Sequence, residues 1–264
     1  MLLHYTADGF LVILPHDDPY RIVDAMLGTG YSEEFCIALN FRADFVARLM
    51  KAGFLVMSLK LSSSSEDAAS EEDVASSEDA ASSEAEAPSG DAPSDGYFVL
   101  LPKLHLVRSV LFFDKLHIKN SIKRYLRTDY PFELCFDADF DYIVDRCVAV
   151  HGDEWLTPPL VDAIKTIRRN RFHGVYPASF ALYRNGKLVA GEFGVISGRV
   201  YTSYSGYYDE SDAGTVQLIL TARYLEEHGY AFFDLGMPLQ YKTDLGATDI
   251  SPREFIDLFR AAWE

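Results

Sequence analysis

The hydrophobic pattern of the last third of the chain predicts three strands, a long helix and a further strand. The apolar runs are separated by the turn pairs Asn185-Gly186 and Ser197-Gly198. An Asn-Gly pair between apolar runs indicates a hairpin, because both positions of a type I′ turn need a positive φ. The predicted elements are strands at Phe180–Tyr183, Leu188–Ile196 and Val200–Tyr204, a helix at Asp212–His228 and a buried strand at Ala231–Leu235.

The rest of the chain carries shorter signals. Asn40 to Gly53 has helical apolar spacing, with Asn40 as a candidate cap and Gly53 as a stop. The apolar runs Phe54–Leu59 and Tyr97–Leu101 are predicted to pair as hairpin strands around a long loop. Further helices are predicted at Asp137–Val150, from Thr157 to about Phe172, and after the capping box Ser251-Pro252-Arg253-Glu254.

The negative charge is concentrated in one segment. The formal net charge is −16, but Ser62–Gly96 contains eleven acidic residues and no Lys or Arg. Without this segment the chain has 24 basic and 29 acidic residues, a net charge of −5 that does not exclude a nucleic-acid partner. The segment has no aromatic residue, so it is predicted to be a disordered insert. It is either a solvated linker or an electrostatic regulator that competes with RNA for a basic surface.

The sequence also indicates the cellular compartment in which the protein is expected. Cys36, Cys135 and Cys147 are odd in number and widely spaced, so they do not indicate a disulfide framework. No apolar run approaches the roughly 20 residues of a membrane span, and the first residues lack the pattern of a secretory signal. We therefore expect a cytoplasmic protein with no membrane partner.

A basic cluster lies in the middle of the chain, with apolar residues between its cations. It is predicted to be a helix on which Lys119 and Lys123 share a face with Arg127. Cations at this spacing can follow a phosphate backbone, although a solvated helix face is the alternative for such a cluster. The cationic residues are Lys115, His117, Lys119, Lys123, Arg124 and Arg127.

Several phrases together resemble one protein family, the leucyl/phenylalanyl-tRNA–protein transferases. They are Leu188-Val189-Ala190-Gly191-Glu192-Phe193-Gly194-Val195, Phe232-Phe233-Asp234, Asp244-Leu245-Gly246-Ala247 and Ile250-Ser251-Pro252-Arg253-Glu254-Phe255. The resemblance implies an α+β protein. Its small N-terminal α/β domain would span residues 1–131 with the insert at 62–96. A GNAT-like acyltransferase domain with a mixed central sheet would span 132–264.

The resemblance also implies site residues. Asp234 matches the family's carboxylate and would orient the attacking amine as a catalytic residue. The basic cluster, with Lys115, Lys119, Lys123, Arg124 and Arg127, would bind tRNA. Four polar groups of the family are replaced: Leu235-Gly236 stands for Cys-Gln, Tyr204 stands for a Glu, and Ala178-Ser179-Phe180-Ala181 stands for His-Ser-x-Glu and keeps only its Ser. The expected substrate-binding residues are Trp155, Ser179, Tyr204, Ser205 and Gly236.

The function implied by the resemblance is an aminoacyltransferase. It would move a Leu- or Phe-like amino acid from an aminoacyl-tRNA to the N-terminal amine of a protein or peptide, as in an N-degron pathway. No metal and no organic cofactor is implied. Two alternatives stay open, namely an acyltransferase of the same fold with another donor and a catalytically silent RNA- or protein-binding homologue.

Overall fold

The structure, a computed structural model, describes residues 3–28, 31–61, 97–127 and 130–263. The insert predicted at 62–96 lies outside the described residues. The strands are β1 (His4–Tyr5), β2 (Leu11–Val12), β3 (Leu55–Leu61), β4 (Tyr97–Lys103), β5 (Arg108–Leu111), β6 (Phe132–Phe136), β7 (Val175–Arg184), β8 (Lys187–Ser197), β9 (Val200–Tyr208), β10 (Phe232–Asp234) and β11 (Thr248–Ile250). The α-helices are α1 (Pro19–Gly28), α2 (Ala43–Lys51), α3 (Asn120–Lys123), α4 (Phe140–His151), α5 (Pro158–Asn170), α6 (Ala213–Glu227), α7 (Gln240–Asp244) and α8 (Pro252–Ala261).

The largest sheet in the described part of the chain has seven strands in the order β11-β5-β10-β9-β8-β7-β6. Strands β9 and β10 are parallel, since α6 connects them as a crossover, and the other neighbours are antiparallel. The sheet is therefore mixed, and the predicted α+β class is confirmed. The division at residue 131 stays a prediction, and β5, which precedes it, is a member of this sheet.

The hairpin pattern read from the sequence is present. Asn185 and Gly186 have φ values of 51° and 76°, and they join β7 to β8 as the Asn-Gly pair predicts. The long helix α6 follows β9, and β10 follows α6. At the start of α8 the Ser251 hydroxyl accepts a hydrogen bond from the backbone N–H of Glu254 at 3.2 Å, which is half of the predicted capping box.

Each face of the main sheet packs against its own hydrophobic cluster. Consecutive strand residues point to opposite faces, so Val110 and Phe232 join one cluster while Leu111 and Phe233 join the other. Buried residues of α6 cover the second face, and those of α2, α4, α5 and α8 cover the first. Polar side chains on the two faces of β9 and β10 thus lie in different surroundings.

The N-terminal segment forms a smaller hairpin beside the sheet. Strands β3 and β4 pair antiparallel from Leu55↔Lys103 to Leu61↔Tyr97, as predicted for strands on either side of the insert. Helix α1 was not predicted. The predicted cap of α2 was wrong, because Asn40 Oδ1 accepts the backbone N–H of Arg42 at 2.9 Å and the helix begins at Ala43.

None of the helices in the described ranges combines the length and the apolar character needed to cross a bilayer.

Candidate active site

A cavity of about 570 Å³ lies between β8, β9 and the first turns of α6. We call it the Glu192 cavity. Glu192 projects from β8 toward α6, since it shares a strand face with Ala190 of the α6-facing cluster. Gly214 lets α6 approach the rim, because a Cβ there would lie 2.9 Å from the Tyr208 ring. The described residues that line the cavity are His151, Glu192, Ser203, Gly206, Tyr207, Tyr208, Ser211, Asp212, Gly214, Thr215, Gln217, Leu218 and Tyr241.

The floor of this cavity is a desolvated carboxyl group. Glu192 is 2% exposed, and its Oε2 accepts a hydrogen bond of 3.2 Å from Gln217 Nε2. The same amide donates to Thr221 Oγ1 at 2.9 Å, so the orientation of Gln217 is fixed. Within the described residues, Glu192 Oε1 has no partner at hydrogen-bond geometry. Burial raises the pKa of Glu192 to about 7, against the opposing effects of Gln217, Ser203, Tyr201 and the charge of Lys242.

The opposite face of the sheet holds a buried ion pair. Asp234 is 0% exposed and Arg108 is 1% exposed. Arg108 Nε donates to Asp234 Oδ1 at 2.7 Å and Arg108 Nη2 donates to Oδ2 at 2.6 Å. Thr202 Oγ1 donates to Oδ2 at 2.8 Å, and the Gly236 N–H donates to Oδ1 at 3.0 Å. The carboxylate is thus held by four donors.

The electrostatics of Asp234 follow from these contacts. Burial raises its pKa, but the charge and hydrogen bonds of Arg108, together with those of Gly236 and Thr202, outweigh burial and hold the pKa below its usual range. The guanidinium of Arg108 also lies over the Phe255 ring of α8, 4.3 Å from its centroid. Asp234 was predicted to orient the substrate amine, and that role stays a prediction. In this structure its oxygens contact protein donors and do not line the Glu192 cavity.

Lys242 connects the two polar groups electrostatically. Its Nζ donates to the backbone carbonyls of Leu235 at 2.5 Å and Met237 at 2.8 Å. Burial lowers the pKa of Lys242 to about 8, while the charges of Asp234 and Glu192 act in the opposite direction. One buried ammonium therefore influences both carboxylates although they lie on opposite faces of the sheet.

The predicted basic helix is much shorter than expected. Helix α3 has four residues, a 3₁₀ turn (Arg124–Leu126) follows it, and Lys119 and Arg127 flank these turns. The prediction that Lys119, Lys123 and Arg127 share one helical face was therefore wrong, because the chain leaves α-helical geometry after Lys123. The cations nonetheless lie within one short segment, which we call the basic segment (residues 115–127).

The basic segment is attached to the rim of the Glu192 cavity. Tyr125 donates to Asp212 Oδ2 at 3.1 Å, and the Arg124 guanidinium lies 4.5 Å from the centroid of the Tyr125 ring. Lys119 Nζ forms an exposed ion pair of 2.6 Å with Asp244 at the end of α7. Below this segment lies an adjoining cavity of about 190 Å³, which shares the wall residues Asp212, Thr215, Leu218 and Tyr241 with the Glu192 cavity.

The predicted substrate-binding residues do not come together at one place. Trp155 contributes a backbone carbonyl that accepts the N–H and hydroxyl of Ser58, both at 3.0 Å. Ser179 is buried and donates to the carbonyl of Ala138 at 2.8 Å. The Tyr204 hydroxyl accepts the backbone N–H of Val56 at 3.0 Å, which joins β9 to the small hairpin.

Ser205 is half-buried on β9 next to the cavity residue Gly206, and its hydroxyl group contacts the Cys147 thiol of α4. Gly236 has a φ of +74° and donates its N–H to Asp234, which is why this position suits glycine. The roles of all these residues in binding stay predictions.

Sequence reasoning missed the residues that define the cavity floor and the ion pair. Glu192 is a charged residue inside the apolar run Leu188–Val195, which was read as a strand phrase and not as a site. Arg108 similarly stands beside the apolar Val107 and Val110. A charge inside a predicted central strand is the signal that would have found Glu192, since such groups are seldom buried without a partner. No strand was predicted around Arg108, so that residue had only its apolar neighbours as a signal.

A model of the leucyl/phenylalanyl-tRNA protein transferases matches residues 110–260, more than half of the chain. The matched segment includes the Glu192 cavity, Asp234 and the whole of the basic segment. The chain belongs to the leucyl/phenylalanyl-tRNA–protein transferase family. This membership confirms the resemblance read from the sequence phrases.

Curated members of the family are similar to the chain at low identity. The transferase of Pseudomonas entomophila is 29% identical over 153 residues, and that of Pseudomonas aeruginosa strain PAO1 is 30% identical over 154 residues. Each alignment covers 57% of this chain and 66% of the relative. The transferase of Maridesulfovibrio salexigens is 28% identical, with 60% and 65% covered. The match thus spans slightly less than two thirds of these relatives, and the chain is a divergent member of the family.

Solved structures give only weak similarities. L-PGS from Bacillus licheniformis aligns with a TM-score of 0.36 and 15% identity, over 90% of this chain and 69% of that one. A conserved protein of unknown function from Bacteroides thetaiotaomicron aligns with a TM-score of 0.35 and 14% identity, over 59% and 55%. Similarities at this level carry no conclusion about function.

Proposed function

We propose that the protein transfers an amino acid from a charged tRNA to the N-terminal amine of a protein or peptide. The observation that carries the proposal is the shared wall between the Glu192 cavity and the adjoining cavity beneath the basic segment. An aminoacyl-tRNA end has a polyanionic strand joined to a small amino acid. A basic entrance leading to a cavity of this size matches this combination.

The reaction needs no covalent enzyme intermediate. The neutral N-terminal amine attacks the ester carbonyl carbon, the new C–N bond forms, and the C–O bond to the terminal ribose breaks. The ribose oxygen leaves with a proton that the amine releases. Holding both substrates in contact geometry supplies much of the acceleration. In this proposal Asp234 holds Arg108 and the β10 end in place and does not itself contact the amine, since its oxygens are occupied by protein donors.

The test is transfer with a complete set of charged tRNAs. The full chain is mixed with tRNA carrying each labelled amino acid in turn and with a peptide that begins with Lys or Arg. We expect label in the peptide for at least one tRNA, and none when the peptide is N-terminally acetylated, because acetylation removes the nucleophile. Absence of transfer from every charged tRNA would remove the proposed function. Labelling from an acyl-CoA in place of a tRNA would assign the alternative donor, and RNA binding without turnover would assign the silent homologue.

The basic segment gives a separate test of tRNA binding. Lys123 is exposed at the end of α3, and Lys187 is an exposed lysine of the β7–β8 hairpin, outside the basic segment. We expect Lys123→Ala to weaken tRNA binding and to lower the salt slope by about one unit, as for one lost phosphate contact. Lys187→Ala is the matched control and leaves the slope unchanged. Equal slopes for both variants would assign Lys123 to an ordinary solvated face.

A further inference from the structure

One buried oxygen on the floor of the Glu192 cavity lacks a well-aligned hydrogen-bond donor. Glu192 is nearly fully buried, and its Oε2 is occupied by Gln217. Its Oε1 has no partner at hydrogen-bond geometry within the described residues. The hydroxyl groups of Ser203 and Tyr201 lie close enough to lower the pKa of Glu192, but they do not meet that geometry. A Leu or Phe side chain placed here would exclude water from that oxygen without supplying a hydrogen-bond donor, which is unfavourable for a buried polar atom. The cavity therefore suits a group that donates hydrogen bonds.

The charges around the cavity favour a cation as that group. Glu192 and Asp212 are acidic, and no Lys or Arg is found among the described residues that line the cavity. The aromatic rings of Tyr207, Tyr208 and Tyr241 also line it. Cations of the protein already lie over two of these rings, Arg146 at 5.1 Å from the centroid of Tyr207 and Lys242 at 5.6 Å from that of Tyr241. Aromatic faces attract ammonium and guanidinium groups, and no such contact is seen for the Tyr208 ring within the described residues.

Two further groups bear on this charge balance. The Lys242 ammonium opposes the charge of Glu192, but its Nζ is held by the carbonyls of Leu235 and Met237. His151 lies at the rim with its Nε2 at 2.8 Å from the carbonyl oxygen of Gly206. A ring nitrogen at this distance from a carbonyl donates to it, so this nitrogen is not directed at Glu192.

We propose that the Glu192 cavity binds the cationic side chain of an amino-acid substrate, through a charge-assisted hydrogen bond to Glu192. This inference rests on the proposed function for the identity of the substrate. The ammonium or guanidinium belongs either to the residue transferred from tRNA or to the N-terminal residue of the acceptor. Both residues present the same chemical group to Glu192. If the cation belongs to the residue carried by the tRNA, the donor is a cationic amino acid and not the Leu- or Phe-like one expected from the sequence.

Binding of small probes tests the cavity without any catalysis. Lysinamide and norleucinamide have the same α-ammonium and nearly the same length, so their difference reports only the side-chain charge. Argininamide and citrullinamide form a second matched pair. Titration calorimetry on the full chain should show at least roughly tenfold tighter binding of the cationic member of each pair, the size expected for a charge-assisted hydrogen bond in a desolvated site.

Substitutions assign the effect to one side chain. Glu192→Gln keeps the size of the residue and should abolish the preference within each pair. Glu192→Leu is a second variant in case the first does not fold, and it should reverse the preference toward norleucinamide. Glu227→Gln removes an exposed carboxylate at the end of α6 and is the matched control. Equal binding of charged and neutral probes to the wild-type protein would overturn the proposal, as would a preference that survives both Glu192 variants.

Transfer assays identify the source of the cation. In one arm the acceptor peptide is fixed and tRNAs carrying Lys, Arg, Leu or Phe are compared. In the other arm the donor is fixed and peptides that begin with Lys, Arg, norleucine or citrulline are compared. The arm in which a cationic preference is lost in Glu192→Gln names the source. No Glu192-dependent preference in either arm overturns the cation site for transfer.

The inference and the proposed function can fail separately. Transfer of Leu or Phe that ignores the charge of both substrates and is unaffected by Glu192→Gln keeps the transferase and removes the cation site. Glu192-dependent binding of lysinamide without transfer from any charged tRNA keeps the cation site and removes the transferase.

Discussion

Replacement of Asp234 by Asn is expected to destabilise the protein strongly. The Asn side chain has the same shape, but it lacks the charge that neutralises Arg108, and its amide nitrogen cannot accept the hydrogen bonds that an oxygen of Asp234 accepts. Both residues of the pair are buried, so the unpaired guanidinium is not rescued by water. Removal of one partner of such a pair costs about 3–5 kcal/mol in the free energy of unfolding.

The measurement is urea unfolding followed by circular dichroism, with thermal melting as a second readout. For a domain of this size, the loss corresponds to a fall in melting temperature of roughly 6–20 °C. Asp141→Asn is the control, because Asp141 forms only an exposed ion pair of 3.7 Å with Lys165 and should change the free energy of unfolding by less than about 1 kcal/mol. The double variant Arg108→Met/Asp234→Leu should recover part of the loss, since no unpaired charge remains.

The dependence on pH has a definite sign. The folded-state pKa of Asp234 lies below the value of 3.8 for the free carboxyl group. Its stabilising contribution is therefore fully present above about pH 4, and it is lost as the pH falls below that value toward the lower folded pKa. Unfolding free energies of wild type and Asp234→Asn should approach each other only in strong acid.

A different result would refute this reasoning. If Asp234 orients or deprotonates the substrate amine, its replacement should leave stability nearly unchanged and lower turnover on the order of 10²–10⁴-fold. A variant with the unfolding free energy of the wild type would therefore contradict a structural role. If the variant is destabilised, the transfer rate per folded molecule should stay close to that of the wild type, measured at a temperature where it remains folded.

Three further predictions follow from single positions. Burial raises the pKa of Glu192 from 4.5 to about 7. Ionising this buried carboxyl group therefore lowers the free energy of unfolding, by nothing below about pH 4.5 and by roughly 3 kcal/mol at about pH 7. Glu192→Gln should remove this fall in stability with rising pH, and parallel curves of stability against pH for the variant and the wild type would contradict the prediction. Gly246 has a φ of +99°, and a Cβ there would lie 2.0 Å from the Lys115 carbonyl oxygen, so Gly246→Ala should cost at least about 2 kcal/mol by urea unfolding, more than Gly186→Ala, which has a positive φ but open space. Tyr204→Phe removes the acceptor of a backbone N–H in β3 and should cost roughly 1–2 kcal/mol, whereas an unchanged free energy of unfolding would show that water replaces the hydroxyl.

The sequence by itself determined the elements whose signals are local. The Asn185-Gly186 turn, the long helix after β9 and the hydroxyl cap of Ser251 depend on residues a few positions apart, so they could be read from the pattern. The pairing of β3 with β4 was also readable, because the acidic segment between them has one Val and no aromatic residue and does not continue an apolar run. These predictions rest on backbone preferences and on the period of the apolar positions.

Only the tertiary structure decided which polar residues meet. Arg108 and Asp234 are 126 residues apart, and they pair because β5 lies antiparallel beside β10 in a register that places both on one face. Glu192 reaches the cavity because the pairing of β8 with β9 directs it toward α6, where Gln217 lies. A shift of one residue in either register would move these side chains to the opposite face. Local patterns do not encode such registers, since they follow from the packing of both sheet faces at once.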